Sequence, residues 1–297
     1  MNPPDEAAAV ATSLGAASIR QAAELLINSR VPTFQVAVRS SGRAALLAGI
    51  WSGSYSLFVN LSQEQRPEGP VVWVDPAEAS TYRKHIDVLE PGGKGPGGQV
   101  SAMLVRAPRG SWVIVLDDNI KTIRFRGKPV EPRQLMSLLR QGMTTPGLCA
   151  FAAVPLSSKW GRATRAGLTI RQSELTGGLF ALRVPPEMSG EDYASIVEPQ
   201  HGVIADDLER SLRVYHEGGH GCMGLFHELT VEKYHEPGVW KRGSGGIAAR
   251  FSDSTEFQKA KDRNLDRLSE SFPEIMRQKG EVPNVQRGWK WGSQRGW

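Results

Sequence analysis

Two adjacent carboxylates and an amide, Asp117, Asp118 and Asn119, stand directly after the apolar run Trp112 to Leu116. Hard oxygen groups of this kind suit a hard divalent cation such as Mn2+ or Mg2+, and such an ion neutralises charge that develops on a departing diphosphate. Without an ion, the two carboxylates repel one another unless both face solvent or meet Lys121 and Arg124. A solvated turn after a core strand is the plainer reading of the same residues. A second acidic pair, Asp206 and Asp207, opens the run ADDLERSLRVYHEGG. Either carboxylate could receive the proton of an attacking hydroxyl. Acids in a first helical turn also favour the helix dipole whatever the function.

Cations and glycines surround these acids in the sequence. Arg39, Ser41 and Arg43 lie in VRSSGR, where the two guanidinium groups are candidates for a phosphate or a uracil edge. Asp75 follows the apolar run VVWV. Lys94 sits in PGGKGPGG, a segment able to close over phosphate because glycine permits close backbone approach, although it lacks the spacing of a P-loop. Further on, KYHEPGVWKRGSGG places His235, a candidate metal ligand, near Lys241 and Arg242, which with the glycine run could shape a diphosphate loop. His227 is a second candidate for an additional metal ligand. HEGGH, with His216, Glu217 and His220, formally matches the HExxH zinc motif. Its two glycines disfavour helix, and His227 comes one residue late for the extended zinc-peptidase spacing.

These groups need elements to position them. Phe34 to Val38, Val71 to Val74, Val88 to Leu89, Trp112 to Leu116, Cys149 to Val154 and Leu179 to Val184 read as strands. Helical spacing is predicted for Ala17 to Ile27, Ala44 to Leu47, Glu78 to Lys84, Gln99 to Ala107, Glu131 to Gln141, Asp206 to Tyr215 and Ser254 to Met276, while Arg162 to Arg171 reads as a loop. Alternation at this spacing predicts an α/β fold with a mostly parallel sheet covered on both faces. Ligands in such sheets bind beyond the carboxyl ends of the strands, which is where Arg39 to Arg43, Asp75 and Asp117 to Asn119 would lie.

VIVLDDNI, residues 113 to 120, resembles the strand and Asp-rich motif of GT-A-type glycosyltransferases, in which the acidic group engages a cation and the nucleotide sugar. VRSSGR resembles the first-strand segment of the bacteriophage and base J glucosyltransferase branch, which acts on hydroxymethylated pyrimidines in DNA. That branch usually has a proline where Arg39 or Ser40 stands. ADDLERSLRVYHEGG is similar to the acidic residue and helix on the acceptor side of many GT-A enzymes. The resemblance implies a GT-A-like (Rossmann-like) three-layer sandwich, a UDP-sugar donor with Mn2+ or Mg2+, and inverting transfer of a hexose, glucose in that branch, to a hydroxyl. Asp206 or Asp207 would be the base and Asp117 and Asp118 would hold the cation.

Composition is that of an ordinary globular chain, with 40% hydrophobic and 23% charged residues among 297. No segment approaches eighteen consecutive apolar residues, and the acidic, Ala-rich N-terminus lacks the features of a secretory signal, so a cytoplasmic protein (host cytoplasm if phage-encoded), monomeric or weakly associating, is expected. Two cysteines are too few for a disulfide framework. Residues 1–276 read as one domain and 277–297 as a basic tail, with five cations, one acid and three interleaved tryptophans. Such a tail can neutralise phosphates and stack on bases, or fold back on the domain. A zinc metallopeptidase and a noncatalytic nucleic-acid-binding module are the competing functions.

Overall fold

The computed structural model describes residues 32–48, 71–86, 89–155, 167–170, 175, 178–200, 206–218, 222–234, 251–273, 276–278 and 289–291. The helix expected at 17–27, the histidines His220 and His235, Lys241 and most of the tail lie outside the described residues.

The strands are β1 (Phe34–Arg39), β2 (Val71–Val74), β3 (Leu89–Pro91), β4 (Trp112–Asp117), β5 (Ile120–Phe125), β6 (Lys128–Pro129), β7 (Ala150–Pro155), β8 (Leu168–Ile170), β9 (Leu179–Arg183), β10 (Met223–Lys233), β11 (Met276–Gln278) and β12 (Trp289–Trp291). The α-helices are α1 (Ala44–Ala48), α2 (Ala79–Tyr82), α3 (Gly95–Val105), α4 (Pro132–Thr144), α5 (Gly190–Val197), α6 (Asp206–Gly218) and α7 (Ser254–Ser271). One ten-stranded sheet runs β3-β2-β1-β4-β9-β7-β10-β5-β6, with β8 also on β10, while β11 and β12 pair separately. Strands β3, β2, β1 and β4 are mutually parallel. Beyond them the sheet is mixed, parallel again only where β7 meets β10.

Alternating side chains make this sheet the middle of three layers. Val36, Val38, Trp112, Ile114 and Leu116 pack with Leu47, Tyr82, Leu135 and Leu139 of α1, α2 and α4 on one face. Ala37, Val113 and Val115 pack with Met103, Leu104, Tyr193, Leu212 and Leu268 of α3, α5, α6 and α7 on the other. Residues 112 to 116 are entirely buried, as a strand covered on both faces requires. Each large apolar side chain so buried contributes about 1.5–3 kcal/mol, which fixes β4 and therefore the place where Asp117 emerges.

Several elements differ from the sequence reading: strand β8 falls inside the stretch 162–171 read as a loop, and α5 was not expected. The hairpin β5–β6 follows the turn at Asp118 and Asn119 directly, so those residues sit in a tight strand-to-strand connection. Strand β10 is the longest in the sheet. Its register on β7 shifts between Phe226 and Thr230; its first part pairs β7 and β8, and its last part pairs β7 and β5. Helix α3 starts inside the glycine-rich segment rather than at Gln99. Pro96 suits the first turn of a helix, and a Cβ on Gly93 would stand 2.4 Å from the Gly98 carbonyl oxygen, so glycine lets the chain fold against the turn.

Candidate functional site

The carboxyl ends of β1 and β4 lie side by side, with Arg39 in register with Asp117. Arg39 Nε donates to Asp117 Oδ1 at 2.6 Å, and the rest of its guanidinium reaches α6, where Nη1 and Nη2 donate to Asp207 Oδ1 and Oδ2 at 2.9 and 3.2 Å. Asp206 Oδ2 lies 3.6 Å from Nη1. One buried arginine therefore links the end of the central strand to the first turn of α6. The other Asp117 oxygen accepts from Lys233 Nζ at 2.5 Å. The last residue of β10 delivers that lysine. Gly178, at φ +91°, leaves room for it, since a Cβ there would lie 2.7 Å from Lys233 Cε.

Asp118 belongs to a separate ring. Arg43 Nη1 donates to Asp118 Oδ1 at 2.8 Å and Ser40 Oγ donates to Oδ2 at 2.6 Å. Because the Ser40 hydrogen is spent there, Tyr82 O–H donates to Ser40 Oγ at 2.6 Å, and the Arg43 backbone N–H donates to the Tyr82 oxygen at 3.0 Å. Asp118 is 2% exposed.

Charge states follow from these contacts. Burial alone would raise the Asp117 pKa, but Arg39 and Lys233 outweigh it and hold this carboxyl far below the ordinary carboxylate range. Burial raises Asp118, against the opposing pull of Arg43 and Ser40. Asp206 is pushed up to about 6, first by burial and then by the neighbouring Asp207 charge. Arg39, although buried, is raised well above its ordinary value by Asp117, Asp207 and Asp206.

These side chains line one cleft of about 240 Å³, joined by Ser41, Pro96, Gln99 and Asn119. The structure thus brings together Arg39, Ser41, Arg43, Asp117, Asp118, Asn119, Asp206 and Asp207. Asp75 and Lys94 are not among the lining residues. Asp75 Oδ1 accepts from the Ala77 backbone N–H and caps the short 3-10 turn Pro76–Glu78. Lys94 is exposed at the N-cap of α3, within the glycine-rich segment that was expected to close over phosphate. Ser41 and Gly42 bond to Glu78. His216 and Glu217 are exposed at the end of α6, with the His216 ring edge-on to Phe272 at 6.2 Å, and His227 is buried at the β10 register shift.

Three site residues escaped the sequence reading. Lys233 ends a strand whose alternation is interrupted by Gly224 and His227. Ser40 was passed over between two arginines. Gln99 is entirely buried on a helix face of Val100, Met103 and Leu104, and that polar position on an apolar face was the available signal.

The cleft can be tested for a hard divalent cation. Three cations face four carboxylates, a formal excess of one negative charge before any anionic ligand arrives. Asn119 Oδ1 is a buried amide oxygen without a hydrogen-bond partner among the described residues. Among the described residues no three His, Cys, Asp or Glu side chains converge to hold a metal. A cation here would take Asp117 and Asn119 oxygens and complete its shell from a ligand's phosphates and water, which is how Mg2+ is commonly bound. The oxygen chemistry and the charge balance fit.

No family model and no curated protein matches the chain. Solved structures align with it at low identity. Mannosyl-3-phosphoglycerate synthase from Rubrobacter xylanophilus aligns over 97% of this chain and 88% of its own, at 12% identity and a TM-score of 0.46. Glucosyl-3-phosphoglycerate synthase from Mycobacterium tuberculosis, in complex with Mn2+, UDP and phosphoglyceric acid, aligns over 90% and 88%, at 11% identity and a TM-score of 0.49. The same enzyme with Mn2+, UDP-glucose and phosphoglyceric acid aligns over 79% and 81%, at 12% identity and a TM-score of 0.41.

Proposed function

We propose that the chain is a glycosyltransferase that moves a hexose, glucose by the sequence resemblance, from a UDP-sugar to a hydroxyl with inversion. The observation that carries this reading is the arrangement around Arg39, where one guanidinium joins the Asp-rich strand end at Asp117 to the acidic pair that opens α6. A diphosphate entering the cleft competes with the carboxylates for Arg39, Arg43 and Lys233. Guanidinium and ammonium donors suit phosphate oxygens, and released Asp117 and Asn119 oxygens suit a cation. A divalent cation, when bound, offsets the negative charge that develops on the leaving diphosphate. Asp207, with a side chain 25% exposed against 8% for Asp206, faces the acceptor and takes the hydroxyl proton.

The acceptor we propose is a 5-hydroxymethylpyrimidine in DNA. VRSSGR and the basic, tryptophan-bearing segment 277–297 support that choice. A base used in this way must leave the duplex stack to reach a carboxylate set in the cleft. The test is transfer of labelled glucose from UDP-glucose, with Mn2+, to DNA carrying 5-hydroxymethylcytosine or 5-hydroxymethyluracil. Label in the modified DNA and none in unmodified DNA is expected. Label reaching only a small acceptor such as 3-phosphoglycerate would reject the DNA acceptor and keep the transferase, and no turnover of UDP-glucose under any condition would reject both.

A further inference from the structure

One polar atom in the cleft has no role in the network of charges. Gln99 is entirely buried in the second turn of α3, and its Nε2 donates to the Ser40 backbone carbonyl at 2.8 Å. That bond fixes the amide plane and leaves Oε1 buried with no hydrogen-bond partner among the described residues, on a residue that lines the cleft. A buried acceptor left without a donor costs folding free energy, and such groups are retained where something else supplies the donor.

We propose that Gln99 recognises the transferred sugar, accepting through Oε1 a hydrogen bond from a hydroxyl of the hexosyl group. The inference rests on the reading of the cleft as a nucleotide-sugar site. Its chemistry follows from what Oε1 can and cannot meet. An amide oxygen is an acceptor only, so it disfavours phosphate oxygens, which also only accept. The cleft of about 240 Å³ is smaller than the roughly 300–1,000 Å³ of sites that enclose a whole ligand. It already contains the acidic pair and the three cations, so it takes the reacting end of the donor, namely phosphate and hexose. Of these two, the hexose carries the donor groups. Gln99 also reaches the Ser40 carbonyl, and Ser40 Oγ anchors Asp118, so sugar occupancy is read next to the ring that holds Arg43.

The test compares Mn2+-supported binding of UDP, UDP-glucose and a series of monodeoxy UDP-glucoses by the unaltered protein and by Gln99→Met, which keeps the side-chain length and loses both amide groups. The variant is expected to bind UDP within twofold of the unaltered protein and UDP-glucose about tenfold more weakly, the size of one hydrogen bond in a buried site. One monodeoxy donor should show the same tenfold loss on the unaltered protein and no further loss on the variant. Equal weakening of UDP and UDP-glucose in the variant would overturn the assignment, because Gln99 would then serve the nucleotide or only the fold. If Gln99→Met does not fold, the unaltered protein decides alone, since monodeoxy donors that all bind as well as UDP-glucose leave no hydroxyl for Gln99 to read. An unaltered protein that binds no UDP compound overturns the transferase reading itself, which is distinct from losing only the Gln99 contact.

Discussion

At the scale of single residues, the cleft separates two acids that the sequence presents as equals. Asp117 is shared between Arg39 and Lys233, whereas Asp118 anchors Arg43 inside a closed ring with Ser40 and Tyr82. Asp118→Ala removes the buried acceptor of Arg43 Nη1 and Ser40 Oγ and is expected to cost about 3 kcal/mol, measured by denaturant unfolding. Asp207→Asn retains the shape of the side chain but cannot accept a proton, so kcat is expected to fall by about 10²–10⁴ with donor affinity little changed. The raised pKa of Asp206 fixes the sign of its contribution to stability. The folded protein holds that proton more tightly than the unfolded chain, whose carboxyl titrates near 4, so the contribution to stability is present below about 4 and is lost as pH rises to about 6. A pH series of unfolding midpoints checks that slope.

At the scale of elements, the sheet edge positions what the chemistry uses. The strands β1, β2 and β4 were legible because their valines, isoleucines and tryptophans form short bounded blocks, and a parallel sheet puts such strand ends on one edge. Asp206 to Tyr215 was legible from helical spacing, and the same acids that suggested a base also open the helix. Strand β10 was not legible, since Gly224, His227 and Glu228 break its apolar pattern and tertiary pairing with three neighbours overrides that local signal. With it went Lys233. The start of α3 was missed because glycine and proline read locally as loop, while the close approach of Gly93 to Gly98 can only be seen in three dimensions. Helix α5 had an available signal in Ser189 and Asp192, three residues apart, where the serine caps the helix. Gly178→Ala is expected to force the Lys233 ammonium off Asp117 and to impose an unfavourable φ on alanine. About 1 kcal/mol or more of stability should be lost, with weaker UDP binding in a protein that keeps its circular dichroism spectrum.

For the whole molecule, charge is divided between an acidic cleft and a chain whose net charge is +5. The cleft excess of negative charge makes a cation cofactor a matter of electrostatic balance, while the basic excess is available to an anionic polymer. If DNA presents the acceptor, retention of hydroxymethylated DNA should fall steeply with salt, and neutralising Lys279, Arg287, Lys290 and Arg295 together should flatten that dependence by about three to four counterions' worth of slope. Small-molecule donor affinity should be unaffected by the same change, which separates the polymer surface from the cleft.

The most direct measurement is calorimetric titration of the chain with UDP and UDP-glucose, with and without Mn2+, beside Asp117→Asn. The account predicts binding of both nucleotides that strengthens at least tenfold with Mn2+ and that loses this Mn2+ dependence in the variant. Absence of UDP binding with or without the ion, or equal binding by the unaltered protein and the variant, would contradict the central claim that the Asp117 strand end is a nucleotide-sugar site.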